Sequence, residues 1–262
     1  MKNTILSHLP GDLPWQVHWF TTVDSTNTQA KTMAQAGAPQ GTVLIASQQT
    51  GGRGRMGRSF SSPAGAGLYL SVILRPNCNA EKLMHLTCAA GVAACDAVEQ
   101  SCGIRPGIKW INDLVLENKK LGGILTEMSV DPKTGLVDFA VIGIGINCLQ
   151  KARDFPQELQ DIAISLTAAG YQVDMAQLAA NLICALYKMS EQLQDPAATM
   201  AAYRRDCITL GREVTLLRGE EKQYGTALDV DDDGALAVRF PDGSVKSVNS
   251  GEVSVRGMYG YV

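Results

Sequence analysis

The stretch GIKWINDLVLENKKLGGILTEMSV, residues 107–130, decides the fold class. Its apolar residues come in short runs, separated by a polar bend at Asn112-Asp113 and a tight turn at residues 117–119. Runs of this length between turn residues are typical of strands, and such short connections join antiparallel neighbours. The stretch therefore predicts three consecutive strands of an antiparallel sheet.

Outward from this stretch, strands and helices are interspersed along the chain. The segment 24–37 reads as a helix that Asp24 or Ser25 begins and Gly37 ends. Because hairpins and helices are mixed, we expect an α+β domain with a mixed, largely antiparallel sheet and packed helices. Further strands are predicted at 41–49, 65–76 and 136–148, and further helices at 80–103, 174–194 and 196–207.

The character of the sequence changes near Gly211. Short alternating strands follow, with turns predicted at Arg218-Gly219, Asp233-Gly234 and Asp242-Gly243. This is the pattern of a small all-β module, and we expect an SH3-like barrel. The predicted division is a short tail at 1–16, a catalytic domain at 17–208 and a β-domain at 209–262.

Composition excludes several classes of protein. The chain has 262 residues, of which 45% are hydrophobic and 19% charged, and its net charge is −3, which argues against DNA as a partner. No apolar run reaches the roughly 18 residues that a bilayer requires, so no membrane association is expected. Seven cysteines without a CxxC pair, with only three histidines, indicate core thiols in a reducing cytoplasm and no zinc site.

A basic glycine-rich loop, TGGRGRMGRSF at 50–60, stands out on this mildly acidic chain. Three nearby arginines repel one another and glycine loses entropy on ordering, so the loop is expected to act on an anion. Guanidinium groups suit carboxylate and phosphate oxygens. If the loop is extended, its arginines can bracket two ligand groups.

Two generic nucleotide motifs match this loop but lack their context. Residues 52–57 spell GxGxxG, and residues 52–59 approximate a P-loop with Arg58 at the lysine position. Both motifs require a helix directly after the loop. The following RSFSSPAGAG cannot begin one, which leaves either another kind of anion site or a solvated loop without a ligand.

A second polar cluster lies within the opening stretch. Lys120 follows the tight turn, and Gly123 would let a ligand lie against the strand backbone. On one interpretation Lys120 points inward and meets a phosphate or carboxylate. On the other, the segment is a plain hairpin with exposed lysines.

At this point the chain resembles the biotin protein ligases. The resemblance extends over roughly residues 17–262, and GRGRxGR followed by KWxND and KxxGGIL is a specific combination. Ile111 stands where the family often has proline, which removes no functional group. The blocks that carry it, in family order, are STN at 25–27, QTGGRGRMGR at 49–58, GLYLSVIL at 67–74, KWINDL at 109–114, KKLGGIL at 119–125 and GIGIN at 143–147.

The resemblance implies a class II synthetase-like ligase domain and a two-step reaction. Biotin and ATP are the substrates, with Mg²⁺ held mainly through the ATP phosphates, and biotinyl-5′-AMP is the intermediate. Biotin then passes to a lysine of a biotin carboxyl carrier protein. With about 16 residues before the ligase domain, we expect a compact form without the DNA-binding repressor domain, as a monomer or a homodimer.

The resemblance also implies roles for individual residues. The catalytic set is Lys120, Arg53 and Asp113, with Lys120 on the biotin carboxylate and the α-phosphate and Asp113 tied to acyl transfer. The biotin-binding residues are Ser25, Thr26 and Asn27 at the ureido head, Gln49 near the carboxylate, Arg53, Gly54 and Arg55 in the mobile loop, Lys120, and Gly123 in the pocket wall. The nucleotide-binding residues are Arg55, Arg58, Asn112, Asp113, Lys120 and Asn147.

Two alternatives stay open. A lipoate or octanoate transferase would share the ligase-like domain, but such relatives lack this form of the arginine loop followed by KWxND. A non-catalytic biotin-binding or adenylate-binding protein would have no use for Lys120 and Arg53 at an α-phosphate.

Overall fold

The computed structural model describes residues 1–249 and the strand at 254–257. The larger unit contains five helices and seven strands. In chain order they are α1 (Lys2–His8), β1 (Gln16–Val23), α2 (Thr26–Gln35), β2 (Thr42–Gln49), β3 (Gly67–Leu74), α3 (Leu86–Cys102), β4 (Gly107–Lys109), β5 (Asp113–Leu116), β6 (Lys119–Val130), β7 (Val137–Asn147), α4 (Met175–Glu191) and α5 (Ala197–Asp206).

The seven strands form one sheet in the order β1-β2-β3-β7-β6-β5-β4. Only β1 and β2 pair in parallel, because helix α2 carries the chain back between them; every other neighbouring pair is antiparallel. The predicted mixed, largely antiparallel sheet is therefore confirmed. Strand β1 and its parallel pairing were not among the predicted elements.

The opening stretch folds as its sequence pattern predicts. Strands β4, β5 and β6 follow one another in antiparallel pairs. The turn between β5 and β6 places Glu117 and Asn118 in the left-handed region, with φ of 50° and 59°. Asparagine tolerates that conformation better than most residues, which is why this short connection reverses the chain here.

Both faces of the sheet are covered. Helix α2 packs on one face, where Ala30, Ala34 and Phe139 belong to a small apolar cluster. The larger core lies on the other face beneath α3 and α4. Every residue of β3 is buried, as expected for a central strand between two helical layers.

Two details of the helices differ from the sequence predictions. The predicted N-terminal tail contains helix α1, which is anchored by the buried side chain of Ile5 and packs on α4. The helix predicted from residue 80 begins as a 3₁₀ turn, Ala80–Leu83, before α3 starts at Leu86. No helix among the described residues is long and apolar enough to cross a bilayer.

The remaining strands form a separate antiparallel sheet, which confirms the predicted C-terminal β-module. Its order is β11-β10-β9-β8-β12. Glycines 219, 234 and 243 all have positive φ, as the predicted turns require. The strands are β8 (Glu213–Arg218), β9 (Glu221–Val230), β10 (Leu236–Arg239), β11 (Val245–Val248) and β12 (Ser254–Gly257).

Candidate functional site

A cavity of about 590 Å³ opens between the sheet, the arginine loop and the segment 155–163. Its volume lies in the range that holds cofactor-sized ligands. All the residues singled out from the sequence line it: Ser25, Thr26, Asn27, Gln49, Arg53, Gly54, Arg55, Arg58, Asn112, Asp113, Lys120, Gly123 and Asn147. The inward interpretation of Lys120 is thus the one that the structure supports.

The floor of the cavity is glycine backbone on β6 and β7. A Cβ atom added to Gly143 would lie 2.0 Å from Asn27 Oδ1, and one added to Gly145 would lie 2.5 Å from Phe60 Cε1. Neither distance is compatible with a side chain at those positions. The glycines therefore permit the close approach that the GIGIN pattern predicts, and they let Asn27 and Phe60 lie directly on the strand.

A buried hydrogen-bond network fixes the start of α2. The Thr26 backbone N–H donates to Gln49 Oε1 at 2.8 Å. The hydroxyl of Ser71 lies 2.8 Å from Thr26 Oγ1 and 2.7 Å from Asn27 Oδ1. Because an amide oxygen can only accept, Ser71 donates to Asn27. The polar side chains at this end of the cavity are thus held in one arrangement before any ligand binds.

Gln49 joins the same network to the far end of the arginine loop. Its Nε2 donates to Ser62 Oγ at 2.8 Å, and that hydroxyl donates to the Phe60 carbonyl at 3.0 Å. Through its bond to Thr26, Gln49 belongs to the end of the cavity formed by the start of α2. This position differs from the role beside the ligand carboxylate that the resemblance implies for Gln49.

The arginine loop is a compact turn, so its extended interpretation is wrong. Arg53 and Ser59 form an antiparallel bridge, and Gly54 N–H donates to the Arg58 carbonyl at 2.7 Å. Between them Arg55–Gly57 is a 3₁₀ turn in which Met56 has φ of 55°. Glycine-rich sequence allows both conformations, and the cross-loop hydrogen bonds select the tight one.

The loop contacts the opposite wall through its arginines. Arg55 NH1 donates to Asn112 Oδ1 at 3.2 Å. Burial lowers the pKa of Arg55, and the nearby Asp113 carboxylate acts against that shift. Arg53 NH1 lies 3.2 Å from Glu127 Oε2. Arg53 and Arg55 therefore line the cavity, held by the carboxylate of Glu127 on β6 and by the amide of Asn112 in the bend before β5.

Lys120 and Asp113 form the charged centre of the site. Lys120 Nζ donates to Asp113 Oδ1 at 2.6 Å, and both side chains are mostly buried. The hairpin brings them together, because Asp113 pairs with Gly123 and a register shift follows at Leu114/Val115. Gly123 has no side chain to separate the two groups from the cavity. A cation and a potential proton acceptor thus lie side by side.

One wall of the cavity was not predicted from the sequence. Lys120 N–H donates to the Ile162 carbonyl at 2.7 Å, and Ile164 N–H donates to the Lys120 carbonyl at 2.9 Å. These hydrogen bonds hold the irregular segment 155–163 against β6. The sequence of that segment has no periodic apolar pattern. Its apolar side chains that line the cavity are Phe155, Leu159, Ile162 and Ala163.

Sequence reasoning also missed polar residues that support the site. Ser71 is buried within the apolar strand β3, and Lys109 is buried at the cavity wall. Glu127 does not line the cavity, but its carboxylate accepts hydrogen bonds from two residues that do, Asn27 and Arg53. A polar residue inside an apolar strand pattern was the available signal for Ser71 and Lys109.

The arrangement fits a ligand of a particular chemistry. The start of α2 presents fixed polar groups, the floor is bare strand backbone, and Lys120 and the loop arginines supply positive charge. A molecule with a polar head, an apolar chain and an anionic end would match these three parts. The cations would also accept a second anion, such as a phosphate, beside the first.

Comparisons with known proteins agree with this description. The Biotin/lipoate A/B protein ligase family matches residues 19–147, and the Biotin protein ligase C terminal domain matches residues 209–256. The chain is 37% identical to the Bifunctional ligase/repressor BirA of Bacillus subtilis over 238 residues, covering 89% of this chain and 72% of that protein.

Two further relatives have a similar length to this chain. A Biotin--[acetyl-CoA-carboxylase] ligase of Mycobacterium tuberculosis is 34% identical over 237 residues, covering 87% of this chain and 85% of that protein. The structure of a biotin protein ligase from Aquifex aeolicus in complex with biotin and ATP superposes with a TM-score of 0.78 and 30% identity, covering 92% of this chain and 99% of that one.

Proposed function

The chain belongs to the biotin protein ligases, and we propose that it joins biotin to ATP as biotinyl-5′-AMP and then transfers biotin to a protein lysine. The observation that carries the proposal is the single cavity that contains a fixed polar end, a glycine floor and the Lys120–Asp113 pair. A binding protein without chemistry would need no such charge pair beside its ligand.

Biotin would lie along the glycine floor. Its ureido head would meet Ser25, Thr26 and Asn27, whose orientations are already fixed, and Gln49 would support that end through Thr26. The valeryl chain would cross Gly123, where a ligand can approach the backbone. The carboxylate would then reach the ammonium of Lys120.

The first step brings two anions together. The biotin carboxylate oxygen attacks the α-phosphorus of ATP, the new P–O bond forms, and the bond to the pyrophosphate oxygen breaks. Lys120, Arg53, Arg55 and Arg58 would neutralise the charge that gathers there. Fixed cations act strongly in such a site because they require little reorganisation. Asn112 and Asn147 would contact the nucleotide.

Mg²⁺ would enter with ATP. It prefers oxygen ligands and commonly takes one or two from the protein and the rest from phosphates and water. Asp113 and Asn112 offer such oxygens beside the cavity, so the residues present fit this mode. Bound there, the ion would offset phosphate charge.

In the second step the acceptor lysine attacks the carbonyl carbon of the mixed anhydride. An amide bond forms, the bond to the AMP oxygen breaks, and a proton leaves the attacking amine. Asp113 is the candidate to accept that proton, with Lys120 beside it to stabilise the departing phosphate. The loop of residues 50–60 would exclude water, which otherwise hydrolyses the anhydride.

Three further assignments follow from the same proposal. The acceptor is a biotin carboxyl carrier protein, as the acetyl-CoA-carboxylase ligase name of the M. tuberculosis relative suggests. The seven cysteines are free thiols, which supports a reducing cytoplasmic location. The catalytic domain is assigned to residues 17–208 and the C-terminal domain to 209–262.

Pyrophosphate release with biotin and Mg·ATP tests the proposal. We expect biotin-dependent release that falls at least about a hundredfold in Lys120→Ala, and biotin attached to one lysine of a carrier protein. Lys119→Ala is the matched control, because Lys119 follows the same turn but is outside the cavity lining. Release with lipoate or octanoate but not biotin would transfer the assignment to the related transferases.

A further inference from the structure

Glu127 joins three parts of the molecule that the proposed reaction needs together. Its Oε2 accepts hydrogen bonds from Asn27 Nδ2 at 3.1 Å and from Arg53 NH1 at 3.2 Å. Its Oε1 accepts one from Lys31 Nζ at 3.0 Å. One carboxylate on β6 therefore contacts helix α2 and the first arginine of the loop at the same time.

The bond to Asn27 determines what that side chain can offer a ligand. Its two amide hydrogens are directed to Glu127 Oε2 and to the Leu125 carbonyl, and its oxygen accepts from Ser71. The lone pair that is left on the oxygen makes Asn27 an acceptor for a ligand N–H. Without the carboxylate, the amide could turn over and present a donor.

The bond to Arg53 anchors the loop. Arg53 begins the turn and pairs with Ser59 across it, so fixing Arg53 fixes both strands of the turn. Burial raises the pKa of Glu127, but hydrogen bonds from Lys31 and Asn27 and the charge of Arg53 hold it below its ordinary value. The group is thus a carboxylate at neutral pH, opposite in charge to Arg53.

We propose that Glu127 is a positioning residue for the biotin end of the site, which fixes the acceptor orientation of Asn27 and anchors the arginine loop. The inference rests on the proposed function for the identity of the ligand. Its structural part, the anchoring of the loop, holds without any ligand. Glu127 itself lies outside the cavity lining, so it acts through Asn27 and Arg53.

The test compares Glu127→Gln with Lys31→Met. The first variant keeps the side-chain shape but removes the charge that holds Arg53. Lys31→Met removes the ammonium that donates to Glu127 Oε1 and leaves the bonds of Glu127 to Asn27 and Arg53 in place. We expect Glu127→Gln to raise the KM for biotin at least about tenfold, with kcat for pyrophosphate release within about threefold. Lys31→Met should leave both constants within about twofold.

Limited trypsin digestion of the ligand-free protein supplies the second measurement. Trypsin cleaves after the loop arginines only when the turn opens, so Glu127→Gln should speed cleavage at 53–58 and Lys31→Met should not. Equal cleavage rates in Glu127→Gln and the unaltered protein, or a loss confined to kcat, would overturn the positioning role. A chain that releases no pyrophosphate with biotin would contradict the proposed function, while the cleavage rates would still decide the anchoring.

Discussion

Lys120 Nζ lies 2.6 Å from Asp113 Oδ1, so the cation proposed for the first step and the base proposed for the second are already in contact. The pair is mostly buried, with side-chain exposures of 31% and 20%. The two charges lower each other's cost of desolvation. An incoming carboxylate would share Lys120 with Asp113, and departure of the product would restore the pair.

Asp113→Asn should separate the two chemical steps. Asparagine keeps the shape and a hydrogen-bond acceptor beside Lys120, but it cannot take a proton from the acceptor lysine. We expect transfer from biotinyl-5′-AMP to fall by about a hundredfold or more, and adenylate formation by less than about tenfold. Single-turnover transfer from preformed adenylate, and pyrophosphate release, measure the two rates.

The control for that substitution is Asp138→Asn. Asp138 is an exposed carboxylate on β7 that pairs with Arg75 outside the cavity lining, so its loss should leave both rates unchanged. Equal losses of adenylation and transfer in Asp113→Asn would show that the carboxylate serves to place Lys120 and not to accept the proton.

Gly122 and Gly123 are neighbours on β6, but alanine should reduce the stability of the fold only at Gly122. A Cβ at Gly122 would lie 2.3 Å from the Gly145 carbonyl oxygen, so Gly122→Ala should destabilise the fold by about 1–3 kcal/mol. A Cβ at Gly123 would meet Asp113 Oδ1 at 3.4 Å and Lys120 Cε at 3.5 Å, which are ordinary contacts. Gly123→Ala should therefore fold normally.

Unlike the effect on stability, the effect on activity should be large in Gly123→Ala. The new methyl of Gly123→Ala would occupy cavity space beside Lys120, so biotin-dependent pyrophosphate release should fall at least about tenfold. Thermal unfolding and the KM for biotin check both expectations. A normal KM for biotin in a stable Gly123→Ala protein would mean that the ligand does not lie against this part of β6.

Much of the fold was predictable because local signals are strong. The turn at Glu117 and Asn118, the glycine turns of the C-terminal module and the ends of α2 all follow from residues that favour those conformations. The clustering of the site followed from the resemblance. Its blocks converge because β6 and β7 pair along their length and α2 lies across them.

The rest could not be read from local sequence. The arginine loop has a composition that allows several shapes, and hydrogen bonds such as that of Gly54 to Arg58 select one. Glu127 looks like an ordinary exposed charge at the end of a strand until α2 is placed beside it. The wall at 155–163 has no period, so only its tertiary bonds to Lys120 reveal it.

His85 should give the stability a pH dependence near neutrality. Its imidazole is buried at the N-terminus of α3, and this burial lowers its pKa. The charge of Asp233, a hydrogen bond with the Leu193 backbone and the charge of Asp232 raise the pKa, but by less. The folded state therefore binds fewer protons than the unfolded state, and the free energy of unfolding falls as pH drops below about 6.5. Urea unfolding between pH 7.5 and 5 measures this slope.

His85→Gln should flatten that slope, because glutamine does not titrate. The chain has two other histidines, His8, which is exposed, and His18, which is half-buried, so His18→Gln is the matched control and should retain the slope. A slope that persists unchanged in His85→Gln would assign the dependence to other groups.

The C-terminal module should contribute to the site through Trp110. Trp110 lines the cavity, and its indole N–H donates to the Gly234 carbonyl at 3.0 Å. Gly234 has φ of 86°, and a Cβ there would lie 3.0 Å from Cys88 Sγ. Gly234→Ala would therefore displace the turn and, with it, the hydrogen bond that holds the cavity wall. We expect kcat/KM for ATP to fall about tenfold.

Gly243→Ala separates that effect from backbone strain. Gly243 lies in the same module with φ of 83°, but a Cβ there would meet nothing within 4 Å. Both variants should lose about 1–2 kcal/mol from the left-handed conformation, whereas only Gly234→Ala should lose activity in pyrophosphate release. Equal activities at a temperature where both proteins are folded would show that the module supports the fold without acting on the site. A lower activity in Gly234→Ala alone would show that the turn at 231–234 supports the site, because the Gly234 carbonyl accepts the indole N–H of Trp110.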